Sequence, residues 1–141
     1  MSMLYSFTVP GNPKGQARPR FVRMQKFVRA YDPKDAVDYK ARIATFALQA
    51  GVKTIMCPAF LAITAYVKRP KRLDRARDPQ GAFAAPCKPD VDNIAKAVMD
   101  ALNGISWPDD VSVTALYVTK RYVARGEMPR LVVEISEDAR Q

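Results

Sequence analysis

An α+β domain, with two main helices packed on a mixed β-sheet, is the fold class this 141-residue chain predicts. Three observations lead there. The segments read strand, ribbon, helix, strand, helix, strand, strand, an order that neither alternates regularly nor stays all of one type. Both helix-length segments are bracketed by start and stop residues. Finally, 141 residues at 48% hydrophobic suit one core and are too few for two ordinary ones, so residues 1–141 are read as a single domain.

Met3 to Val9 alternates loosely with aromatic and β-branched residues, and PGNPKGQARP interrupts it, predicting a first strand and a loop. Phe21 to Tyr31 reads as a strand or ribbon with apolar residues set among basic ones. Asp32 as a cap, Pro33 at the first helical position and Gly51 as a stop bound a helix from about Pro33 to Ala50. Ala59 to Val67 is an apolar run suited to a buried strand. The stretch 68–89 has no usable period, and loops of that length in a small domain are functional or mobile. A second helix is predicted from about Asp90 to Asn103, closed by Gly104. Val111 to Val123 and Leu131 to Ile135 read as the last two strands, joined through RGEMP.

Composition then excludes several kinds of chemistry. No apolar run is long enough to cross a bilayer, and MSMLYSFTVP lacks a basic start and a small-residue cleavage site, which predicts a soluble protein of the cytoplasm with no signal peptide. Cys57 and Cys87 have no CxxC spacing and read as reduced packing residues. With no histidine at all, the chain has no Ser-His-Asp or Cys-His nucleophile pair and no His-ligated zinc. Carboxylates remain, and a hard divalent cation on Asp oxygens is the natural hydrolytic device. A net charge of +9 points to a polyanion, with nucleic acid the leading candidate.

KPDVDNIAKAVMDAL, residues 88–102, gathers acids within this basic chain. On a helix, Ile94, Ala97, Val98, Ala101, Leu102 and Ile105 share a core-facing stripe, while Asp92, Lys96, Asp100 and Asn103 lie together on the other side. The plain account is a solvated face with an Asp-Lys pair and acids that suit the positive helix end. A second acidic pair, Asp109 and Asp110 in WPDDVSV, directly before a predicted strand, favours ligands instead. Alternation along an extended strand lets only one of that pair point toward the helix start.

DVDNIAKAVMDALNG followed by W-P-D-D resembles the signature of RusA-like Holliday junction resolvases: DxDN, a lysine four residues after the second Asp, DAL, and WxDD. The match is strong from Lys88 to Val113 and weaker over PKGQARPRF and YDPKDAVDYK, where Gln16 and Ala17 are inserted between Gly15 and Arg18 relative to the tightest form of the segment. The resemblance implies a small homodimeric endonuclease that uses Mg²⁺ (or Mn²⁺) to nick four-way DNA junctions, often encoded by prophages. Carried over by position, the metal ligands would be Asp90, Asp92 and Asp110, with Lys96 near the scissile phosphate. Asp109 and Asp100 rank behind them.

Lys14, Arg18, Arg20, Arg23, Lys26 and Arg29 occur without an intervening acid and could track phosphate backbones, or simply protect an edge strand by charge. Lys68, Arg69, Lys71, Arg72, Arg75 and Arg77 make a second basic cluster in 68–89, diluted by Asp74 and Asp78, which as a mobile arm would close on DNA. Trp107, between Ile105 and Pro108, reads as a core residue fixing its loop rather than a base-stacking one. The prediction is a structure-selective DNA endonuclease. Its rival is a non-catalytic nucleic-acid-binding protein. A PD-(D/E)xK nuclease is set aside because no Asp or Glu followed by x-Lys stands at a suitable distance beyond Pro108-Asp109.

Overall fold

The computed structural model describes residues 3–16, 20–23, 28–31 and 34–140. In chain order the elements are β1 (Met3–Pro10), β2 (Arg20–Arg23), β3 (Val28–Tyr31), α1 (Lys34–Gln49), β4 (Ala59–Val67), β5 (Phe83–Ala84), α2 (Val91–Leu102), β6 (Val113–Tyr122) and β7 (Arg130–Glu137). Five strands form one mixed sheet in the order β1-β7-β4-β6-β5, and β2 and β3 form a separate antiparallel ribbon. The predicted class, two helices on a mixed sheet, is the class observed. The predicted caps of α1, Asp32 and Pro33, lie outside the described residues.

β4 is the central strand. Ala59, Leu61, Ile63, Ala65 and Val67 alternate as buried residues, as a strand with one face on the core requires. The first four meet Phe7 and Val9 of β1, Leu131, Val133 and Ile135 of β7, and the inner faces of both helices, while Val67 packs with Ala85 and Tyr122 in a second, smaller cluster. α1 contributes Tyr39, Ile43 and Ala47, and α2 contributes Ile94, Ala95, Val98 and Leu102. Trp107 is fully buried in this core, and its indole N–H donates to Asn103 Oδ1 at 2.9 Å. It fixes the loop after α2, as expected from the sequence.

One connection sets the position of everything that follows. β4 and β6 are parallel neighbours, so the chain must return the length of the sheet between them, and α2 makes that return. α2 therefore starts near the end where β6 finishes and ends near where β6 begins. Lys120, late in β6, bonds the carbonyls of Cys87 and Pro89 just ahead of the helix. At the other end, Ile55 N–H donates to Ser106 O at 2.8 Å and Thr54 Oγ1 to Ile105 O at 3.0 Å. Twelve helical residues separate the two ends by about 18 Å.

The stretch 68–89 is organised around a buried arginine. Arg69, 7% exposed, donates to the carbonyl oxygens of Val123, Leu73, Gln80 and Gly81. Arg125 adds bonds to the carbonyls of Arg75 and Asp78. Within this stretch lie a single 3₁₀ turn, Lys71–Leu73, and β5, which pairs only with Arg121 and Tyr122 of β6. Strand β6 also begins later than the sequence suggested. Asp109 caps a 3₁₀ turn at Asp110–Ser112, its carboxylate accepting from Asp110 N–H at 2.9 Å, so the ladder starts at Val113. Among the described residues no helix is long and apolar enough to cross a membrane.

Candidate functional site

Asp90 occupies the N-cap position of α2, where an aspartate would ordinarily accept from the first free N–H groups. It makes no such capping bond. Its carboxylate turns instead to Lys88, whose ammonium contacts Oδ1 and Oδ2 at 3.0 and 3.1 Å. Both side chains are largely open to solvent, so this ion pair adds little to stability. Asp92 follows in the first turn and is exposed, and Lys96 is exposed one turn further on. Among the described residues neither Asp92 nor Asp100 forms an ion pair with Lys96, so the helix face is not the paired surface that the plain account required. Asp100 is half-buried another turn along.

The second acidic pair is divided by its own turn. Asp109 spends its carboxylate on capping Asp110 N–H, whereas Asp110 carries no such bond and is half-buried. Both precede β6 and so lie toward the far end of α2 from Asp90 and Asp92. Among the described residues no three Asp, Glu or Cys side chains come together closely enough to hold a metal ion. Asp138, an acid near the start of β6, is already committed: Arg140 and Thr114 bond its carboxylate and hold it well below the usual carboxylate range.

Around Asp90 the surface is concave and basic. A cleft lined by Pro86, Cys87, Lys88, Asp90 and Lys120 adjoins a second one lined by Lys68, Arg69, Pro70, Lys71, Arg72, Cys87 and Tyr122, with Cys87 common to both. Lys71 and Arg72 thus stand along a path that leads to the start of α2. Arg69, counted with them by sequence, belongs to the interior and holds the loop in place.

The loop after β1 closes the other side. Gln16 N–H donates to Asn93 O at 2.9 Å, and a Cβ added at Gly15 would lie 2.9 Å from Asn93 Cβ and 3.0 Å from Pro89 Cβ. A glycine is needed there for the loop to touch the helix start. Lys14, exposed, lines a further cleft with Asn12, Asp35, Asp38, Tyr39 and Arg42. Beyond it the ribbon places Arg20 opposite Tyr31 and Arg29 opposite Val22, and Arg23 is exposed. Arg18 and Lys26 lie outside the described residues.

Two residues at this site escaped the sequence reading. Lys120 ties the approach to Asp90 to the sheet, bonding Pro89 O at 2.9 Å and also Cys87 O. Its signal was present: Leu116, Val118, Lys120 and Tyr122 share one side of β6, so a lysine stands where the pattern calls for an apolar residue. Lys88 carried no signal beyond its charge.

The donors at the start of α2 suit a hard cation. Mg²⁺ commonly takes one or two carboxylates and completes its shell with waters and substrate phosphates, and the start of α2 supplies two, Asp92 exposed in the first turn and Asp90 held only by a solvent-open ion pair with Lys88 beside a basic cleft. The sequence of the chain matches a family model described as "Endodeoxyribonuclease RusA" over residues 10–136. It is also 35% identical over 137 residues, 93% of this chain and 94% of the other, to "Uncharacterized protein YqaN" of Bacillus subtilis (strain 168).

Proposed function

The chain belongs to the RusA endodeoxyribonuclease family, and from that premise we propose that it resolves four-way DNA junctions by paired, metal-dependent nicks. The observation that carries this reading is the pair Asp90 and Asp92. Asp90 stands at the N-cap position without capping the helix and lines a basic cleft, and Asp92 is exposed in the first turn two residues on, an arrangement that suits ligands better than caps. A bound Mg²⁺ or Mn²⁺ would activate a water and neutralise charge on the phosphoryl oxygens.

The protein's own groups then have separate tasks. Asp90 and Asp92 would hold the cation, in place of the Lys88 ammonium that now pairs with Asp90. Lys96, one turn above Asp92, is a mobile point charge for the non-bridging oxygens of the phosphate being cut. Lys71 and Arg72 neutralise the backbone that enters from the adjoining cleft, and Lys14 with the ribbon arginines neutralises the backbone that leaves. Asp110 stands toward the other end of α2, so in this reading the protein acts as a homodimer in which Asp110 of one copy joins Asp90 and Asp92 of the other. Two such sites match the two nicks that a two-fold junction needs.

The deciding experiment offers a synthetic four-way junction and a linear duplex of the same sequence, each with and without Mg²⁺. Nicking of the junction alone, and only with the metal, is expected. Equal binding with no cleavage under any metal would leave a nucleic-acid-binding protein in place of an enzyme.

A further inference from the structure

Where α1 faces the loop after β1, several polar groups lack partners. Asn12, Lys14, Asp35, Asp38, Tyr39 and Arg42 line a cleft of about 260 Å³ there. Tyr39 is 7% exposed, and its hydroxyl makes no hydrogen bond. Burial raises its pKa against smaller, opposite effects of the Lys14 backbone and the Arg42 guanidinium, both on the cleft wall, and neither completes a bond of normal geometry. A buried hydroxyl without a partner is rare and costly. The charges around it are also unspent. Asp38 and Arg42 stand four apart on the helix, the spacing at which such a pair normally forms, yet among the described residues no ion pair joins them or takes up Asp35 or Lys14. Arg42 lies over the Phe46 ring instead, its terminal nitrogens 3.9 Å from the place a Cβ on Gly11 would take.

We propose that this cleft receives one unstacked base of the DNA strand that passes the acidic site, and that guanine is the base it fits. The balance of charge decides the class of ligand. A free phosphate would meet two carboxylates and a metal ion would meet two cations, whereas a nucleotide combines an anionic phosphate with a neutral base edge that carries both donors and acceptors. Lys14 takes the phosphate, and the base enters behind it. Guanine alone offers two parallel donors, N1–H and the N2 amino group, which one carboxylate of Asp35 or Asp38 can accept as a pair, and it leaves O6 and N7 for the guanidinium of Arg42. The Tyr39 hydroxyl gains its missing bond at the same edge. Size agrees, because the cleft falls just below the range of drug-sized ligands and has room for a single base but not for a base pair. So does position. Gly15, next after Lys14, lies against Pro89 and Asn93, the neighbours of Asp90 and Asp92, so the base that is read lies close to the phosphate that is cut and gives cleavage a sequence preference.

That the ligand is DNA rests on the junction-cleaving reading above, but the test measures binding in EDTA and needs no cleavage. A short oligothymidylate with one central guanine should bind roughly tenfold more tightly than the same strand with cytosine, adenine or thymine at that place. Asp35→Asn combined with Asp38→Asn should erase that preference while tightening binding to the plain strand, since two acids beside phosphates are gone. Tyr39→Phe, which keeps the ring, should lose part of the preference with far-UV circular dichroism unchanged, and it decides alone if the double variant fails to fold. Equal affinity for all the bases, preference for a base other than guanine, or a guanine preference that survives these variants overturns the proposal. A guanine preference that the variants remove, in a protein that cuts no junction, upholds the cleft and sinks the enzymatic reading. Junction cleavage by a protein with no base preference does the reverse.

Discussion

The Lys120 ammonium lies 2.9 Å from the carbonyl oxygen of Pro89, one residue before Asp90, and so ties the end of β6 to the first acid of the site. With Cys87 O as its second acceptor, this lysine holds the approach to α2 without using any side chain of the acidic pair. It is a positioning residue. Lys120→Met leaves two carbonyls without their donor, and should cost about 1–3 kcal/mol of stability. It should also lower kcat by roughly 10- to 100-fold, because small misplacements of a catalytic group are expensive, while junction affinity falls much less. Lys120→Arg should recover part of the rate. Equal loss of rate and affinity, with no rescue, would make Lys120 a DNA anchor.

Asp90→Asn, Asp92→Asn and Asp110→Asn each keep volume and remove one negative charge beside phosphates. Each should lower cleavage by about a hundredfold or more while junction binding stays equal or tightens. If Asp110 acts across the dimer, mixing Asp92→Asn with Asp110→Asn protein restores activity, since the mixed dimer contains one site with both residues intact. That site should release singly nicked junctions. If all ligands belong to one chain, the mixture stays dead, and gel assays of nicked and resolved products separate the two cases.

The elements of this fold were legible because local signals agreed with global need. The Ala59–Val67 run and the apolar stripe of α2 have the periods of a strand and of a helix, and both landed within one residue of the observed bounds. Asp90 and Asp92 were legible as a cluster because their spacing along one element is a local matter. The relation of Asp110 to them was not, because it depends on which way α2 runs between β4 and β6, and sheet pairing is written in contacts far apart along the chain. Arg69 was misgrouped for a similar reason: its four carbonyl partners come from residues 73 to 123, so sequence shows only another charge in a basic stretch. Lys120 was the one long-range feature with a local sign, a charge in phase with apolar residues.

Gly15 tests whether the loop after β1 belongs to the site. A methyl group there would collide with Asn93 and Pro89 Cβ atoms, neither of which is the free end of a flexible chain. Gly15→Ala should cost about 1–3 kcal/mol, as overpacking does, and should break the Gln16 N–H to Asn93 O bond. Cleavage should fall more than the reduced stability explains at temperatures well below unfolding. A variant with wild-type activity and reduced melting temperature would show that the contact is structural only.

The ribbon offers a measurement independent of cleavage. Replacing Arg18, Arg20 and Arg23 by Ala should weaken binding to junctions of every sequence alike and flatten log affinity against log salt by up to about 0.9 for each phosphate no longer neutralised. The metal concentration giving half-maximal rate should not move, since none of the three lies on α2. An unchanged salt slope would assign the ribbon's charge to edge protection.

Arg69 and Arg72 stand three residues apart in one basic stretch, and the structure gives them opposite tasks. Arg69 is buried and satisfies four carbonyls, so Arg69→Ala strips the loop of its organising donor and should cost about 2–4 kcal/mol, visible as a lower melting temperature and faster amide exchange through residues 70–81. Arg72 is exposed in the cleft that adjoins Asp90, so Arg72→Ala should change stability by less than about 0.5 kcal/mol and act on DNA instead, reducing affinity and salt slope together. Because a loosened loop also displaces Lys71 and Arg72, Arg69→Ala should lose DNA affinity as well, but that loss should shrink as temperature is lowered, while the Arg72→Ala defect persists. Equal and temperature-independent losses of affinity in both variants, with no change in melting temperature, would return Arg69 to the DNA-contacting surface.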